Sequence, residues 1–408
     1  MDDLIRATIR RGLADGTPPP GLRSRVIAAV PMDRRATLRW RGPRVSGQWA
    51  AGFAAILLTA ALVAGLVYSR ISSQVGLQHT PPAPPARLSR PSGLAVAPDG
   101  SLYVADYVGN RVYRVEADGS LVTVAGGGLA YEGSATKANL YTPAGLAFDA
   151  NGNLFIADNL GTTIRKVDRN GMLSTFLPIH ATGGVNSPLG LAFDRAGLLY
   201  VGDLAGGVAA VRPDGSFETI DLSGLPSPAV LPGYLAFDSA GDLYVTDRSP
   251  YAYVAGQVPT PPGGCRIIRI KPDRSAQVIA GTGRCGYSGD GGPATSAQLD
   301  NPNGLAFDSG GNLYVADTNN HRVRRIDNRG TITTVAGTGI SGHSGDGGLA
   351  LKAGLVWPEG LVAVDGKLLY VSDSCGCTDP AAYGAVRVID LPSGTISTLV
   401  NSNSRVIR

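Results

Sequence analysis

The stretch Pro302–Gly339, PNGLAFDSGGNLYVADTNNHRVRRIDNRGTITTVAGTG, decides the fold because it contains four short apolar runs separated by turn residues. The runs are LAF, LYVA, VRRI and ITTVA, and Asp, Asn and Gly residues stand between them. Short strands joined by tight Asx and Gly turns are typical of an antiparallel meander. The stretch therefore predicts a four-stranded antiparallel sheet, with strands a, b, c and d in chain order.

Five further copies of this unit lie along the chain, and each copy begins at a proline. The copies begin near Pro91, Pro143, Pro188, Pro232 and Pro358, and the unit quoted above is the fifth of the six. A period of this size indicates a repeat architecture, and six four-stranded sheets around one axis form a β-propeller. We therefore predict an all-β fold, a six-bladed β-propeller of four-stranded antiparallel blades, over residues 91–400.

The fifth copy also carries a family resemblance. Its run GLAFDSGGNLYVADTNNHRVRRID resembles the NHL repeat, with Leu313, Asp317, Asn320 and His321 at the positions that the family pattern uses. Other copies depart from the pattern, and the third reads LAGGVAAV over Leu204–Val211. The resemblance implies the propeller fold and a tendency to bind proteins or other macromolecules, and it does not imply a reaction.

The net charge of the chain is unevenly distributed. Residues 1–45 carry ten Arg and four Asp, a net charge of +6, whereas the whole chain carries +4, so the rest sums to −2. The propeller is therefore close to neutral and offers no basic face to a phosphate backbone. We predict no nucleic-acid partner.

Trp49–Tyr68 is a run of twenty residues without a charged side chain. A helix of this length spans a hydrocarbon core of about 30 Å, and the aromatic residue at each end suits the two interfaces. Five arginines precede the run: Arg34, Arg35, Arg39, Arg41 and Arg44. We predict a transmembrane signal anchor over residues 46–69, with the N-terminus cytoplasmic and the propeller outside the cell membrane. A cleavable signal peptide is the alternative.

The remaining segments flank the anchor and the propeller. Residues 1–45 hold two short stretches with helical apolar spacing, which form either a docking element for a cytoplasmic partner or a basic tail. Residues 70–90 are rich in Pro and predict an extended stalk. Since every copy has a full set of four runs, we expect no strand exchange between the termini. Closure would then depend on packing between blades 1 and 6, with residues 401–408 as a short tail.

The irregular loop lengths all fall on one face of the predicted propeller. In a meander blade the b–c turns and the connections from strand d to the next strand a emerge on the same side, which we name the variable face. It carries long insertions at Arg248–Gly264 and Ser374–Gly384. Loops on a rigid scaffold are common binding sites, and tyrosines are common anchors there.

We therefore predict that the variable face binds a protein or another macromolecule, although the insertions could also be surface without function. The candidate contact residues are Arg248, Tyr251, Tyr253, Tyr287, Asp379 and Tyr383.

Two sets of charged residues recur from blade to blade. An Asp ends strand b in every copy: Asp106, Asp158, Asp203, Asp247, Asp317 and Asp373. We predict a structural role for them, because an Asp at this place can accept backbone N–H groups of the b–c turn. The arginines of strand c are predicted to lie on its outer, solvated face: Arg111, Arg165, Arg266, Arg322 and Arg387.

The connections after blades 4 and 5 are rich in glycine. They read SGDGGPATSAQL and SGDGGLALKAGL, and a degenerate version follows blade 1. A Ca²⁺ loop needs six or more oxygen ligands, but each connection has one carboxylate, Asp290 or Asp346. We therefore predict a glycine-rich turn followed by a single helical turn.

Four cysteines, Cys265, Cys285, Cys375 and Cys377, map to the variable face. In the predicted compartment disulfides persist. If the c–d hairpin of blade 4 turns at residues 273 and 274, Cys265 lies close to Cys285, which predicts a disulfide at the base of the insertion. Cys375 and Cys377 either close a small ring or stay reduced. A zinc site of all four is the other interpretation, with an unusual ligand spacing.

Some six-bladed propellers related to the NHL family are lyases or lactonases with a metal at the axis. A lactonase-like Ca²⁺ site would need oxygen ligands where strand a starts, and Asn303 and Glu359 are the two candidates. A lyase-like Zn²⁺ site would draw on His180, His321 and His343. We predict no cofactor and no catalytic residue, with an axial-metal hydrolase or lyase as the alternative.

Overall fold

The described part of the chain forms six sheets, and each contains four consecutive antiparallel strands. The computed structural model describes residues 88–177, 186–204, 207–225, 230–248, 264–374, 384–401 and 406–407. Every strand a begins at or next to the proline that opens its copy in the sequence. The predicted six-bladed propeller is therefore confirmed.

The first three blades contain the following strands. Blade 1 has β1 (Pro91–Val96), β2 (Leu102–Asp106), β3 (Arg111–Val115) and β4 (Leu121–Gly126), and β5 (Gly133–Ser134) follows it. Blade 2 has β6 (Pro143–Phe148), β7 (Leu154–Asp158), β8 (Thr163–Val167) and β9 (Met172–Leu177). Blade 3 has β10 (Pro188–Phe193), β11 (Leu199–Asp203), β12 (Gly207–Val211) and β13 (Phe217–Thr219).

The second half of the propeller repeats this order. Blade 4 has β14 (Pro232–Phe237), β15 (Leu243–Asp247), β16 (Arg266–Ile270) and β17 (Ala276–Ala280). Blade 5 has β18 (Pro302–Phe307), β19 (Leu313–Asp317), β20 (Arg322–Ile326) and β21 (Ile332–Ala336). Blade 6 has β22 (Trp357–Val364), β23 (Leu368–Ser374), β24 (Ala385–Asp390) and β25 (Thr395–Val400), and β26 (Val406–Ile407) ends the described chain.

The inner strands form a closed ring, in which each strand a packs against strand a of the next blade and β22 packs against β1. The glycine of the Pro-x-Gly-Leu opening makes this approach possible. A Cβ atom added at Gly93 would lie 2.2 Å from the carbonyl oxygen of Ala144, and one at Gly304 would lie 2.3 Å from that of Glu359. The recurring glycine is therefore required by backbone crowding around the axis.

The hydrophobic core lies between the blades. Six clusters of buried apolar side chains occur, one at each junction of neighbouring blades. Edge-to-face aromatic pairs repeat across these junctions, as in Tyr103–Phe148 and Tyr244–Phe307, whose ring centroids are 4.9 Å and 4.8 Å apart. Such pairs add about 0.5–1.5 kcal/mol to the burial of the rings.

Blade 1 packs directly against blade 6, as predicted. The Ser372 hydroxyl donates to the carbonyl oxygen of Ser92 at 2.5 Å, and Arg90 forms a 2.6 Å ion pair with Glu359. Leu88 is fully buried in the apolar cluster of this junction. The propeller therefore includes Leu88, which lies inside the segment that was predicted to be stalk.

Residues 401–408 were predicted to be a short tail, and the structure shows a strand, β26, within them. Val406 and Ile407 pair in parallel with Leu121 and Val122 of β4, the outer strand of blade 1. An outer strand presents unpaired N–H and C=O groups that favour such pairing. The chain after blade 6 therefore joins the edge of blade 1, while the four strands of each blade stay consecutive.

The glycine-rich connections cover other outer edges. The N–H of Gly291 donates to the carbonyl of Ile332 on β21 at 2.8 Å, and that of Gly347 donates to Ile396 on β25 at 2.8 Å. β5 pairs in the same way with β9. The predicted helical turn is present as a 3-10 turn in each connection, at Ala135–Lys137, Ala294–Ser296 and Ala350–Lys352.

The predicted transmembrane segment Trp49–Tyr68 lies outside the described residues. Within the part of the chain that the structure describes, no helix has the length and apolar character needed to cross a membrane.

Candidate binding face

The six aspartates at the end of strand b are all buried and act as hydrogen-bond acceptors. Asp106 accepts the N–H groups of Ser89, Arg90 and Gly109 at 2.9, 2.8 and 3.1 Å. In the other blades the donors again include the backbone 16 or 17 residues before the Asp. The predicted structural role is confirmed, and the carboxylate also holds the start of its own blade.

The prediction that the arginines of strand c are solvated is wrong for three of the five. Arg165, Arg266 and Arg387 are buried, while Arg111 and Arg322 are partly exposed. The burial arises because acidic groups and connecting loops pack against them. Arg266 Nη2 lies 2.5 Å from Asp247 Oδ2, and Arg387 Nη2 lies 2.7 Å from Asp346 Oδ1 in the connection before blade 6.

The aspartate of each glycine-rich connection therefore has a role within the protein. In blade 5 the buried Arg324 reaches Asp290 Oδ1 at 2.7 Å and Asp317 Oδ2 at 3.2 Å. This arrangement ties the preceding connection to strands b and c of the blade. It accounts for Asp290 and Asp346 as ion-pair partners of buried guanidinium groups.

The two residues of the alternative axial metal site are bonded to other side chains. Asn303 Nδ2 donates to Thr318 Oγ1 at 2.8 Å, and Glu359 Oε1 accepts from Arg90 Nη2 at 2.6 Å. Tyr234 stands at the position that glycine occupies in the other copies. Burial raises the pKa of Tyr234, and the charge of Glu359 adds to the shift. The tyrosine therefore shares the axis with Glu359, where an open ligand site would have to lie.

Cys265 and Cys285 form a disulfide, with their Cα atoms 5.3 Å apart. The pairing of Ile267 with Ala280 in the c–d hairpin brings the two cysteines together. Their sulfurs and Asp300 are the one close group of three possible metal-binding residues in the described ranges. Because the sulfurs are bonded to each other, they are not available as thiolate ligands. Cys375 and Cys377 lie outside the described residues.

The two described histidines bond separately to neighbouring groups. His321 Nδ1 contacts the carbonyl oxygen of Val356. His343 Nε2 lies 3.2 Å from Asp373 Oδ2. Burial alone would lower the pKa of His343, but the hydrogen bond and charge of Asp373 outweigh it, and the pKa is raised. His180 lies outside the described residues.

The predicted contact residues differ in their surroundings. Arg248 is buried, and its Nε donates to Asn301 Oδ1 at 3.2 Å, so it anchors the start of the insertion. Tyr287 is exposed, its hydroxyl donates to Asp290 Oδ2 at 2.9 Å, and the Arg322 guanidinium lies 3.8 Å from its ring centroid. Tyr287 lines a groove of about 560 Å³ on blade 5. The other candidates lie outside the described residues: Tyr251, Tyr253, Asp379 and Tyr383.

Sequence reasoning missed a group of exposed apolar side chains on blades 1 and 2. Five of the ten large apolar side chains that are exposed in the described part of the chain lie on the b–c turns of these blades and the connection between them: Val108, Leu129, Tyr131, Tyr141 and Leu160. A signal was present, because Val108 and Leu160 occupy the turn position where blade 5 has Asn319. The predicted site centred on the long insertions instead.

Comparison with known families and proteins agrees with this fold. The model of the teneurin NHL domain matches residues 125–186 and 181–340, which together cover more than half of the chain, and the NHL repeat model matches residues 88–113. Teneurin-3 of Mus musculus is 27% identical over 279 residues, 56% of this chain and 10% of that protein. Teneurin-1 of Gallus gallus is 27% identical over 287 residues, 57% of this chain and 10% of that protein.

The matched region thus spans about a tenth of the length of these curated relatives. A solved structure of a protein of unknown function from Bacteroides thetaiotaomicron is similar in fold, with a TM-score of 0.55 and 17% identity over 71% of this chain and 68% of that one. With the repeats, the propeller and the family match on the same residues, the chain belongs to the teneurin NHL domain family of NHL-repeat propellers.

Proposed function

We propose that this chain is a membrane-anchored NHL propeller that binds a protein or another macromolecule through its variable face, outside the membrane. The observation that supports it most strongly is how the side chains are divided between scaffold and surface. Charged residues that recur in several blades are largely buried and paired. Five of the ten large apolar side chains that are exposed in the described residues lie on the b–c turns of blades 1 and 2 and on the connection between these blades.

The recurring residues are occupied by the fold. The strand-b aspartates hold strand starts and turns, and Arg324 is fully buried between Asp290 and Asp317. If such a buried and paired group moved to contact a ligand, its partner would become an unpaired buried charge, which is energetically costly. The repeat signature itself therefore describes the scaffold.

The exposed residues on blades 1 and 2 have the opposite character. Leu129 is 95% exposed and Leu160 is 68% exposed, and both lie on loops of the variable face. Exposed apolar side chains that cluster on one part of a surface often mark interaction sites. Tyrosines such as Tyr131 and Tyr287 offer both an apolar ring and a polar hydroxyl, which is why they are frequent interface anchors.

Membrane anchoring is supported by the sequence. The uncharged run Trp49–Tyr68 and the arginines before it favour a span with residues 1–45 in the cytoplasm, where a partner could bind them. Protease added to intact cells would then digest the propeller and spare an epitope tag at the N-terminus. Protection of the propeller would contradict this orientation.

Site-specific photocrosslinking of the full-length chain tests the binding function. A photoreactive amino acid replaces Leu129, Leu160 or Tyr287 on the variable face, and matched variants carry it at Arg169 or Arg329 on the exposed c–d turns of the other face. We expect crosslinked adducts with one macromolecular partner from the first set and none from the second. Equal yields from both faces, or yields confined to the c–d turns, would contradict the proposal.

A further inference from the structure

Blade 2 has a threonine at the start of strand c, where three other blades have an arginine. Strand c begins with arginine in blades 1, 4 and 5, and in each blade that arginine pairs across the sheet with the strand-b aspartate. In blade 2 the same register pairs Asp158 with Thr163. In blade 4 the arginine at this place forms a buried ion pair with the aspartate. Thr163 is too short and carries no charge, so blade 2 has no such pair at that position.

Asp158 and Thr163 are consequently left with unused hydrogen-bonding capacity. Asp158 is 1% exposed, and within the described residues it accepts one hydrogen bond, from the N–H of Tyr141 to Oδ1 at 2.5 Å. The Thr163 hydroxyl is buried without a hydrogen-bond partner. Buried polar groups in folded proteins are nearly always paired, so an unpaired hydroxyl beside a buried carboxylate with a single donor needs an explanation.

Arg165 does not supply the missing pair. Its counterparts approach their aspartates, with Arg324 at 3.2 Å and Arg387 at 3.7 Å. Arg165 instead donates from Nη2 to the carbonyl oxygen of Tyr131, and its guanidinium carbon lies 4.5 Å from the centroid of the Tyr131 ring. Arg165 thus bonds to Tyr131, and no ion pair or hydrogen bond joins it to Asp158 within the described residues.

Asp158 and Thr163 line a pocket on the variable face. The pocket has a volume of about 210 Å³, and its lining residues include Asp158, Thr163, Tyr131, Tyr141, Leu160 and Arg165. The two tyrosines and Leu160 are 58%, 52% and 68% exposed, so the rim is apolar and open to solvent. The volume lies below the roughly 300–1,000 Å³ of typical small-molecule sites, and it suits one side chain.

We propose that this pocket binds an alkylammonium or guanidinium group, presented as a lysine or arginine side chain by the macromolecular partner of the variable face. The cation would occupy the place that Arg266 takes in blade 4, donating to Asp158 Oδ2 and to the Thr163 hydroxyl. Its apolar stem would lie on Leu160, and the ring of Tyr141 would favour the positive charge. The partner assignment rests on the function proposed above, whereas the chemistry of the pocket does not.

The pocket is tested by titrating the full-length chain with Nα-acetyl-lysine methylamide, followed by ligand-detected NMR. Its Nε-acetylated analogue, which has no charge, is the control ligand. We expect the charged probe to bind at least tenfold more tightly than the neutral one. Thr163→Arg should reduce binding of the charged probe at least tenfold, because the introduced guanidinium fills the site. Equal binding of the two probes, absence of binding, or unchanged binding by Thr163→Arg would overturn the proposal.

Two further variants guard against effects on folding. Leu160→Ala removes an exposed wall of the pocket and should weaken the probe several-fold, while Ile340→Ala changes an exposed apolar residue after blade 5 that does not line the pocket and should leave binding of the probe unchanged. Equal effects of the two variants would count against the pocket.

The source of the cation is tested by comparing pentylamine with the peptide Ala-Ala-Lys-Ala-Ala. Tighter binding of the peptide supports a protein partner, and tighter binding of the amine overturns that part of the proposal. Because the probes are defined small molecules, their measured affinities do not depend on the partner that the photocrosslinking experiment detects. If the variant with the photoreactive group at Tyr287 gives crosslinks but the probe does not bind, the variable face binds a partner and the pocket takes no part in that binding.

Discussion

Blades 5 and 2 share one strand order and one strand-b aspartate, but they use that aspartate differently. In blade 5, Asp317 accepts from the N–H of Asp300, from Asn320 and from Arg324, and Arg324 also binds Asp290. In blade 2, Asp158 accepts one hydrogen bond from the described residues and faces a solvent-open pocket. The comparison teaches that a close match to the repeat gives an aspartate whose partners all come from the scaffold. A departure from the repeat leaves polar groups that a ligand can satisfy.

The largest expected effect comes from breaking the ion pairs of blade 5. Arg324→Met should lower the free energy of unfolding by about 3–5 kcal/mol, because it leaves the buried Asp317 without its cation. Denaturant titration of the full-length chain measures the loss. The control Arg329→Ala, at an exposed turn of the same blade, should change stability by less than about 0.5 kcal/mol. A similar loss in both variants would mean that the buried pairs are not what holds blade 5 together.

A second effect concerns the connection that leads into blade 5. Cys285→Ser opens the loop that the disulfide with Cys265 closes, and we expect a loss of about 3 kcal/mol. The matched measurement is unfolding of the wild-type chain with and without reductant. If reduction leaves the unfolding midpoint unchanged, the connection is held by its Arg324–Asp290 contact alone.

A third effect distinguishes the two aspartates by pH. Burial raises the pKa of Asp158 to about 7 from its ordinary 3.8, although the Tyr141 N–H and the nearby charge of Arg165 lower it. At pH values between these two pKa values, Asp158 carries a proton in the folded state and has lost it in the unfolded state. The contribution of Asp158 to the free energy of unfolding therefore falls as pH rises from about 4 to 7.

Asp158→Asn removes this dependence. We expect the stability of the variant relative to wild type to rise by about 2 kcal/mol between pH 5 and pH 8, within the limit of about 4 kcal/mol that the shift allows. Thermal unfolding at several pH values measures it. A constant difference across the range would show that Asp158 titrates as an ordinary carboxyl.

The smallest effect belongs to the exposed tyrosine of blade 5. Tyr287→Phe removes the hydroxyl that donates to Asp290, and we expect a loss of about 1 kcal/mol. Phe keeps the ring against Arg322, so a larger loss would point to a role of the hydroxyl beyond this hydrogen bond. Thermal unfolding of the two proteins under one set of conditions is sufficient.

The sequence predicted the elements that depend on local chemistry. The opening prolines, the glycines at the axis and the Asx–Gly turns recur at fixed offsets, so the number of blades and the strand order follow from them. The disulfide between Cys265 and Cys285 could be predicted for the same reason, because a short hairpin joins the two residues.

Features that depend on contacts between distant segments were not predicted. Arg387 looked solvated because nothing in its own strand shows that the connection carrying Asp346 folds over it. β26 pairs with a strand of blade 1 that lies at the other end of the propeller sequence. The pocket of blade 2 arises because Thr163 stands where blades 1, 4 and 5 have an arginine. This difference is visible only when the strand register of the blades is compared.

The measurement that tests the central claim most directly is the affinity of the full-length chain for Nα-acetyl-lysine methylamide in two variants. Thr163→Arg gives blade 2 the residue that blade 4 has, and Arg324→Lys alters the scaffold pair of blade 5. We predict at least a tenfold loss of affinity in Thr163→Arg and an unchanged affinity in Arg324→Lys. The contrary result, with binding retained in Thr163→Arg or lost in Arg324→Lys, would contradict the division between repeated scaffold and divergent site.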